Sequence, residues 1–149
     1  MEGSHSLKRY PFFANLNDEF VGEISALGQP IELEEGDWLF HQEEYATHLY
    51  LITQGKIAFT IMFRNHVIDR LNPYMRGEII GWSAMVSPYI YTLGAIAESP
   101  STLIRFEGKK LLQLMDNNCS QGYILMKNLA ELMGERLINR NIQLMSLRS

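Results

Sequence analysis

The sequence predicts a mainly β fold, an antiparallel β-roll of the jelly-roll or double-stranded β-helix kind, with a short helix before it and two helices after it, the last one long. Three observations predict it. Between Pro30 and Phe106 the apolar residues come in short runs, alternating or solidly apolar, as strands require. Turn-forming residues punctuate these runs: Glu-Gly-Asp, Gln-Gly, Asn-Pro, Arg-Gly and Ser-Pro. Outside that stretch, on both sides, the apolar spacing moves to about 3.6 residues, the period of a helix.

Taken in order, "PFFANLNDEFVGEISAL" opens on a proline, offers Asn15 or Asn17 as an N-cap, and sets Phe20, Ile24 and Leu27 at helical intervals. The roll follows in "IELEEGDWLF", "HLYLITQGKIAFTI", "HVIDRLNP", "LGAIAES" and "STLIRF", enough for six to eight strands. "EGKKLLQLMDNN" then reads as a helix, and Ser120 to Leu147 as one long helix. No internal repeat or linker divides the 149 residues, so a single domain is expected: residues 11–29 a helical lead-in, 30–106 the roll and 107–149 the closing helices.

Composition narrows the function classes. A net charge of −4, with thirteen scattered basic residues, predicts no nucleic-acid partner for this chain alone. No apolar run approaches the roughly 18 residues of a membrane span, and "MEGSHSLKRY" lacks a signal peptide's apolar stretch, so a cytoplasmic protein with no membrane partner is expected. Cys119 is the sole cysteine and has no partner for a disulfide or a metal site. A metal-dependent roll enzyme would need a His-x-His pair with a carboxylate close by. His41 and His48 are seven residues apart with a turn between them, and no P-loop or nucleophile elbow is present. No metal site and no catalytic residues are therefore expected.

"GDWLFHQEEYATHLYLITQGKIAF", Gly36 to Phe59, resembles the strand–turn–strand signature of the cyclic nucleotide-binding domain family. "RGEIIGWSAMVSPYIYTLGAIA" is similar to that family's phosphate-binding cassette, and "LIRFEGKKLLQLMDNNCSQGYILMKNLAELMGERL" to its final strand and closing helices, so the resemblance runs from about Pro11 to Leu147. It implies a ligand pocket within the roll, with Gly77, Glu78, Ile80, Gly81, Trp82, Ser83, Ala84, Tyr89, Ile90, Tyr91 and Thr92 as candidate lining. Gly36, Gly55 and Gly77 are expected at turns, Gly81 where a backbone amide meets a ligand, and Trp82 to Val86 as a short helix behind it.

The family pattern then departs at two positions. Trp82 stands where the family has the glutamate that accepts the ribose hydroxyl, and the register of "SPYIYT" puts Tyr89 where it has the phosphate-pairing arginine; shifting the register gives Ile90 or Tyr91. Thr92 and the amides of Gly81 to Ala84 would keep part of an anion cradle. A charge-assisted hydrogen bond contributes about 1.5–3 kcal/mol, so losing both partners predicts that cyclic AMP and cyclic GMP are not bound in the usual way, unless Arg70 or Arg76 supplies the charge. Trp82, Tyr89 and Tyr91 would then either fill the pocket as core or line a cavity for a flatter, less charged small ligand. Some relatives are thought to hold haem through histidine or cysteine; His5, His41, His48, His66 and Cys119 form no diagnostic pair here, so no cofactor is expected.

In the long C-terminal segment, Leu125, Leu129, then Leu132 and its neighbour Met133, then Leu137, Asn141, Leu144 and Arg148 keep a spacing of three or four residues, and Met126, Ala130, Ile138, Ile142 and Met145 widen the stripe. About 27 residues make a helix of about 40 Å, longer than the roll beneath it. In the catabolite-activator-like branch of the family this helix forms the dimer interface, which implies a homodimer through Leu137, Asn141, Leu144 and Met145. The functional expectation is a non-enzymatic ligand-sensing or regulatory domain. The alternatives are a vestigial roll that serves as a dimerisation or protein-interaction scaffold, and the sensor part of a transcription regulator without its DNA-binding domain.

Overall fold

The computed structural model describes residues 7–64, 66–70 and 73–148, with backbone alone for 67–70, 147 and 148. A 3₁₀ turn, Pro11–Phe13, leads into helix α1, Asp18–Leu27. Of the two candidate caps, Asn17 serves: its side chain accepts a hydrogen bond from the Phe20 amide at 2.8 Å, satisfying one of the helix's orphan donors. Asn15 instead takes a left-handed backbone (φ 68°) in the bend before the helix. Phe20, Val21 and Ile24 face the core and are fully buried.

Nine strands follow among the described residues, one more than the expected upper count: β1 Gln29–Leu33, β2 Trp38–Phe40, β3 His48–Gln54, β4 Lys56–Phe63, β5 His66–Arg70, β6 Tyr74–Met75, β7 Ile79–Ile80, β8 Gly94–Ala97 and β9 Ser101–Glu107. The two-residue strands β6 and β7, on either side of the Arg76–Gly77 turn, are too short for any periodicity to reveal. One sheet runs β1-β9-β3-β7 and the other β2-β8-β4-β5, with β6 paired to β4. All pairings are antiparallel, as the roll requires.

Strand β3 explains the solid apolar run "LYLI". Tyr50 and Ile52 point into the roll, where they join Phe40, Ile57, Phe59, Ile80 and Tyr91. Leu49 and Leu51 point the other way, into a second core shared with the helices. Period-two alternation disappears because both faces are buried. The β3–β4 turn depends on Gly55 (φ 95°), where an added Cβ would lie 2.1 Å from Ser101 Oγ.

Two helices close the chain: α2, Gly108–Asn117, and α3, Cys119–Arg148. Leu111 and Met115 of α2 pack with Leu125 and Leu129 of α3 against the outer face of β3 and the N-terminal aromatics. The single long helix expected from Ser120 to Leu147 is present, one residue longer at each end. One face of its first half is buried, through Leu125, Asn128 and Leu129, whereas Leu137, Ile138, Ile142, Leu144 and Met145 are all more than half exposed. No helix among the described residues is long and apolar enough to cross a membrane.

Candidate functional site

A cavity of about 360 Å³ opens between the mouth of the roll and α3, within the size range of small-ligand sites. Its inner wall is aromatic, built from Phe40 of β2, Phe59 of β4 and Tyr74 of β6, with Tyr91 between β7 and β8. Gly81, Trp82 and Ser83 form one rim; Thr92 and Leu93 form another. The lid is α3, which contributes Met133, Arg136, Leu137 and Arg140.

Of the eleven residues that the sequence nominates for the pocket, Gly81, Trp82, Ser83, Tyr91 and Thr92 line this cavity. Gly77 and Glu78 lie in the turn before β7. Ile80 and Ala84 are buried in the core of the roll. Tyr89 and Ile90 are turned away from the cavity and are 42% and 36% exposed. Backbone hydrogen bonds fix that arrangement: Ala46 N donates to Tyr89 O at 2.8 Å, Glu43 N to Tyr91 O at 2.8 Å, and Tyr91 N to Glu44 O at 2.9 Å. An extended ladder alone would put residues two apart on one face; Tyr89 instead takes a left-handed backbone (φ 58°), and Tyr91 is buried against the cavity while Tyr89 is exposed.

Tyr91 is held firmly. Its ring stacks on Phe40 at 3.8 Å with an interplanar angle of 10°. Its hydroxyl donates to His48 O at 2.7 Å. Burial, with Tyr50 alongside, pushes the phenol's pKa well above its ordinary value, so it stays neutral. The hydroxyl is therefore engaged by the backbone of β3.

The glycine-rich rim also differs from the expected cradle. The expected helix from Trp82 to Val86 is one 3₁₀ turn, Trp82–Ala84. Within it, Ala84 N donates to Gly81 O at 3.0 Å, which removes that amide from any cradle. Gly81 is required for packing: its φ is 81°, and a Cβ there would lie 2.8 Å from His48 O on β3.

The cations of the pocket lie on α3, well outside the cassette where the family pattern places its arginine. Arg136 donates to Ile79 O and places its guanidinium 4.5 Å from the Tyr74 ring. Burial lowers its pKa, partly offset by Tyr74 and Glu78. Glu78 responds in kind: burial raises its pKa and Arg136 lowers it. Arg140, one turn further on, lines the cavity from an exposed position. Arg76 is an exposed turn residue outside the lining, and the side chain of Arg70 lies outside the described residues. The signal is present as spacing: Met133, Arg136 or Leu137, and Arg140 share one helical stripe.

The candidate haem donors are dispersed. His41 stacks on Trp38 at 4.6 Å, His48 Nδ1 is 2.8 Å from Thr47 Oγ1, and Cys119 Sγ donates weakly to Asp116 O at 3.4 Å. His66 begins β5, and His5 lies outside the described residues. No group of three or more His, Cys, Asp or Glu side chains among the described residues could hold a metal ion.

A model of the cyclic nucleotide-binding domain matches residues 30–118. Among solved structures, the chain is similar to a protein of Geobacter metallireducens GS-15 described as a cyclic nucleotide-binding protein: 28% identity, TM-score 0.82, covering 92% of this chain and 99% of that one. It is similar in fold to the N-terminal domain of a transcriptional regulator from Streptomyces coelicolor A3(2), with 24% identity, TM-score 0.71 and coverage of 93% and 95%. The sensor domain of the transcriptional regulator DNR from Pseudomonas aeruginosa is likewise similar in fold, with 22% identity, TM-score 0.72 and coverage of 88% of each chain. No curated protein sequence matches the chain.

Proposed function

The chain belongs to the cyclic nucleotide-binding domain family, and on that premise we propose that it is a non-enzymatic sensor domain whose roll pocket takes a small ligand other than cyclic AMP or cyclic GMP. The observation that carries the reading is the pair Trp82 and Tyr91 on the cavity wall. The family resemblance assigns the ribose and phosphate contacts to this cassette, yet these two side chains supply neither a carboxylate nor a cation. The non-enzymatic part is supported by the lining itself: among the described residues it includes no carboxylate, imidazole or thiol to act as base or nucleophile.

The reading extends to assembly. The distal half of α3 carries five apolar side chains more than half exposed, an unusual arrangement for a helix that works alone. A homodimer through Leu137, Asn141, Leu144 and Met145 would cover much of this face, with Asn141 setting the register. Two of the similar folds come from transcriptional regulators, which favours a cytoplasmic regulatory role for the pair of sensors. A thermal-shift screen of small metabolites tests the proposal. A specific ligand at 100 times its dissociation constant stabilises the fold by about 2.7 kcal/mol, and the shift should vanish when Ser83→Trp fills the cavity. A chain that no small molecule stabilises, but that still dimerises, would instead be an interaction scaffold.

A further inference from the structure

We infer that the pocket recognises a planar aromatic anion in a reversed orientation, its acid group held by Arg140 and Arg136 of α3 and its ring directed into the roll. The inference rests on the ligand-sensing reading and names the chemistry that the pocket would select. The cavity is strongly polarised. On the roll side its walls are Phe40, Phe59, Trp82 and Tyr91, with no charged group among the described lining residues. On the helix side are two guanidiniums, four residues apart and therefore about 6 Å along the same face of α3.

Among the described residues neither cation has a carboxylate within ion-pair distance. Arg136 is engaged by two neutral partners, the carbonyl of Ile79 and the ring of Tyr74. These use one nitrogen and one face of a group with five N–H donors. Glu78 is near enough to influence it, but among the described residues neither Arg136 nor Arg140 forms an ion pair with a carboxylate. Taking a guanidinium partly out of water without a counter-ion is costly, and an acid group entering from the cavity would relieve that cost through fork-shaped hydrogen bonds. Ser83 and Thr92 add hydroxyls at the rim. The opposite orientation, acid inward, would leave the anion against the Phe40–Tyr91 stack, with the Tyr91 hydroxyl already bound to His48 O.

The reversal has a mechanical consequence. An anion bridging the cavity would tie α3 directly to the roll at Arg136 and Arg140, at the start of its exposed distal half, next to the residues proposed for dimerisation.

Calorimetry with a matched pair of probes, 1-naphthylacetate and its neutral amide 1-naphthylacetamide, tests this on the full chain and on Arg140→Gln, a change at an exposed position that the fold should tolerate. The anion should bind the unaltered protein at least about tenfold tighter than the amide, as one charge-assisted contact implies, and Arg140→Gln should cut that preference at least about threefold, Arg136 retaining the remainder. Equal affinities for the two probes, unaffected by Arg140→Gln, would overturn the inference and leave the ligand-sensing reading standing. Binding of neither probe would overturn the inference and count against that reading as well.

Discussion

The side-chain amide of Asn128, on the buried face of α3, donates to the carbonyl of Phe12 at 2.9 Å and also to that of Ala14 at 2.8 Å. Chain segments more than a hundred residues apart are thereby joined: the 3₁₀ turn that opens the fold and the helix that covers its pocket. The Phe12 and Phe13 rings packed beside them are fully buried.

Replacing Asn128 with leucine should therefore destabilise the fold by about 2 kcal/mol or more, because two carbonyls lose their donor in a place water reaches poorly. Urea unfolding should show a lower midpoint with an unchanged slope. An unaltered midpoint would mean that the contact carries no net stability.

Gly81→Ala should also destabilise, by about 1–3 kcal/mol, through strain at its positive φ and the collision with His48 O on β3. The same denaturation experiment reads it. A neutral outcome would show that the rim can move away from β3 and that the Trp82–Ala84 turn is not fixed in place by that strand.

The distal half of α3 should mediate dimerisation. Leu144→Glu, at a position 60% exposed in the single chain, should convert dimer to monomer in light scattering without lowering the stability of the monomer. A protein that is already monomeric at high micromolar concentration contradicts the proposed interface.

Where a stretch of sequence is governed by one physical requirement, it is legible. A helix after the Asn15–Asn17 stretch needs one of the two asparagines as its cap, the doubly buried Leu49–Ile52 run has to be a strand, and the 3.6-residue stripe past Ser120 has to be one helix. The site is less legible because it is assembled from segments far apart in the chain. Tyr89 and Tyr91 look equivalent in sequence, and the left-handed backbone at Tyr89, together with pairing to the Glu43–Ala46 turn, separates them. Arg136 and Arg140 reach the pocket because α3 crosses it, far along the chain from the cassette that carries the family's cation. The 3₁₀ turn at Trp82 reads as a longer helix because local composition does not register the constraint that Gly81 meets against β3.

The most direct test of the central claim is calorimetric titration of the unaltered protein with cyclic AMP and cyclic GMP. With Trp82 and Tyr91 on the cavity wall and the pocket's cations on the opposite side, on α3, the cyclic phosphate has no partner in the orientation that the family resemblance implies, and no described lining residue offers the ribose a carboxylate in either orientation, so the account predicts no binding in the micromolar range. Micromolar affinity for either nucleotide would contradict it.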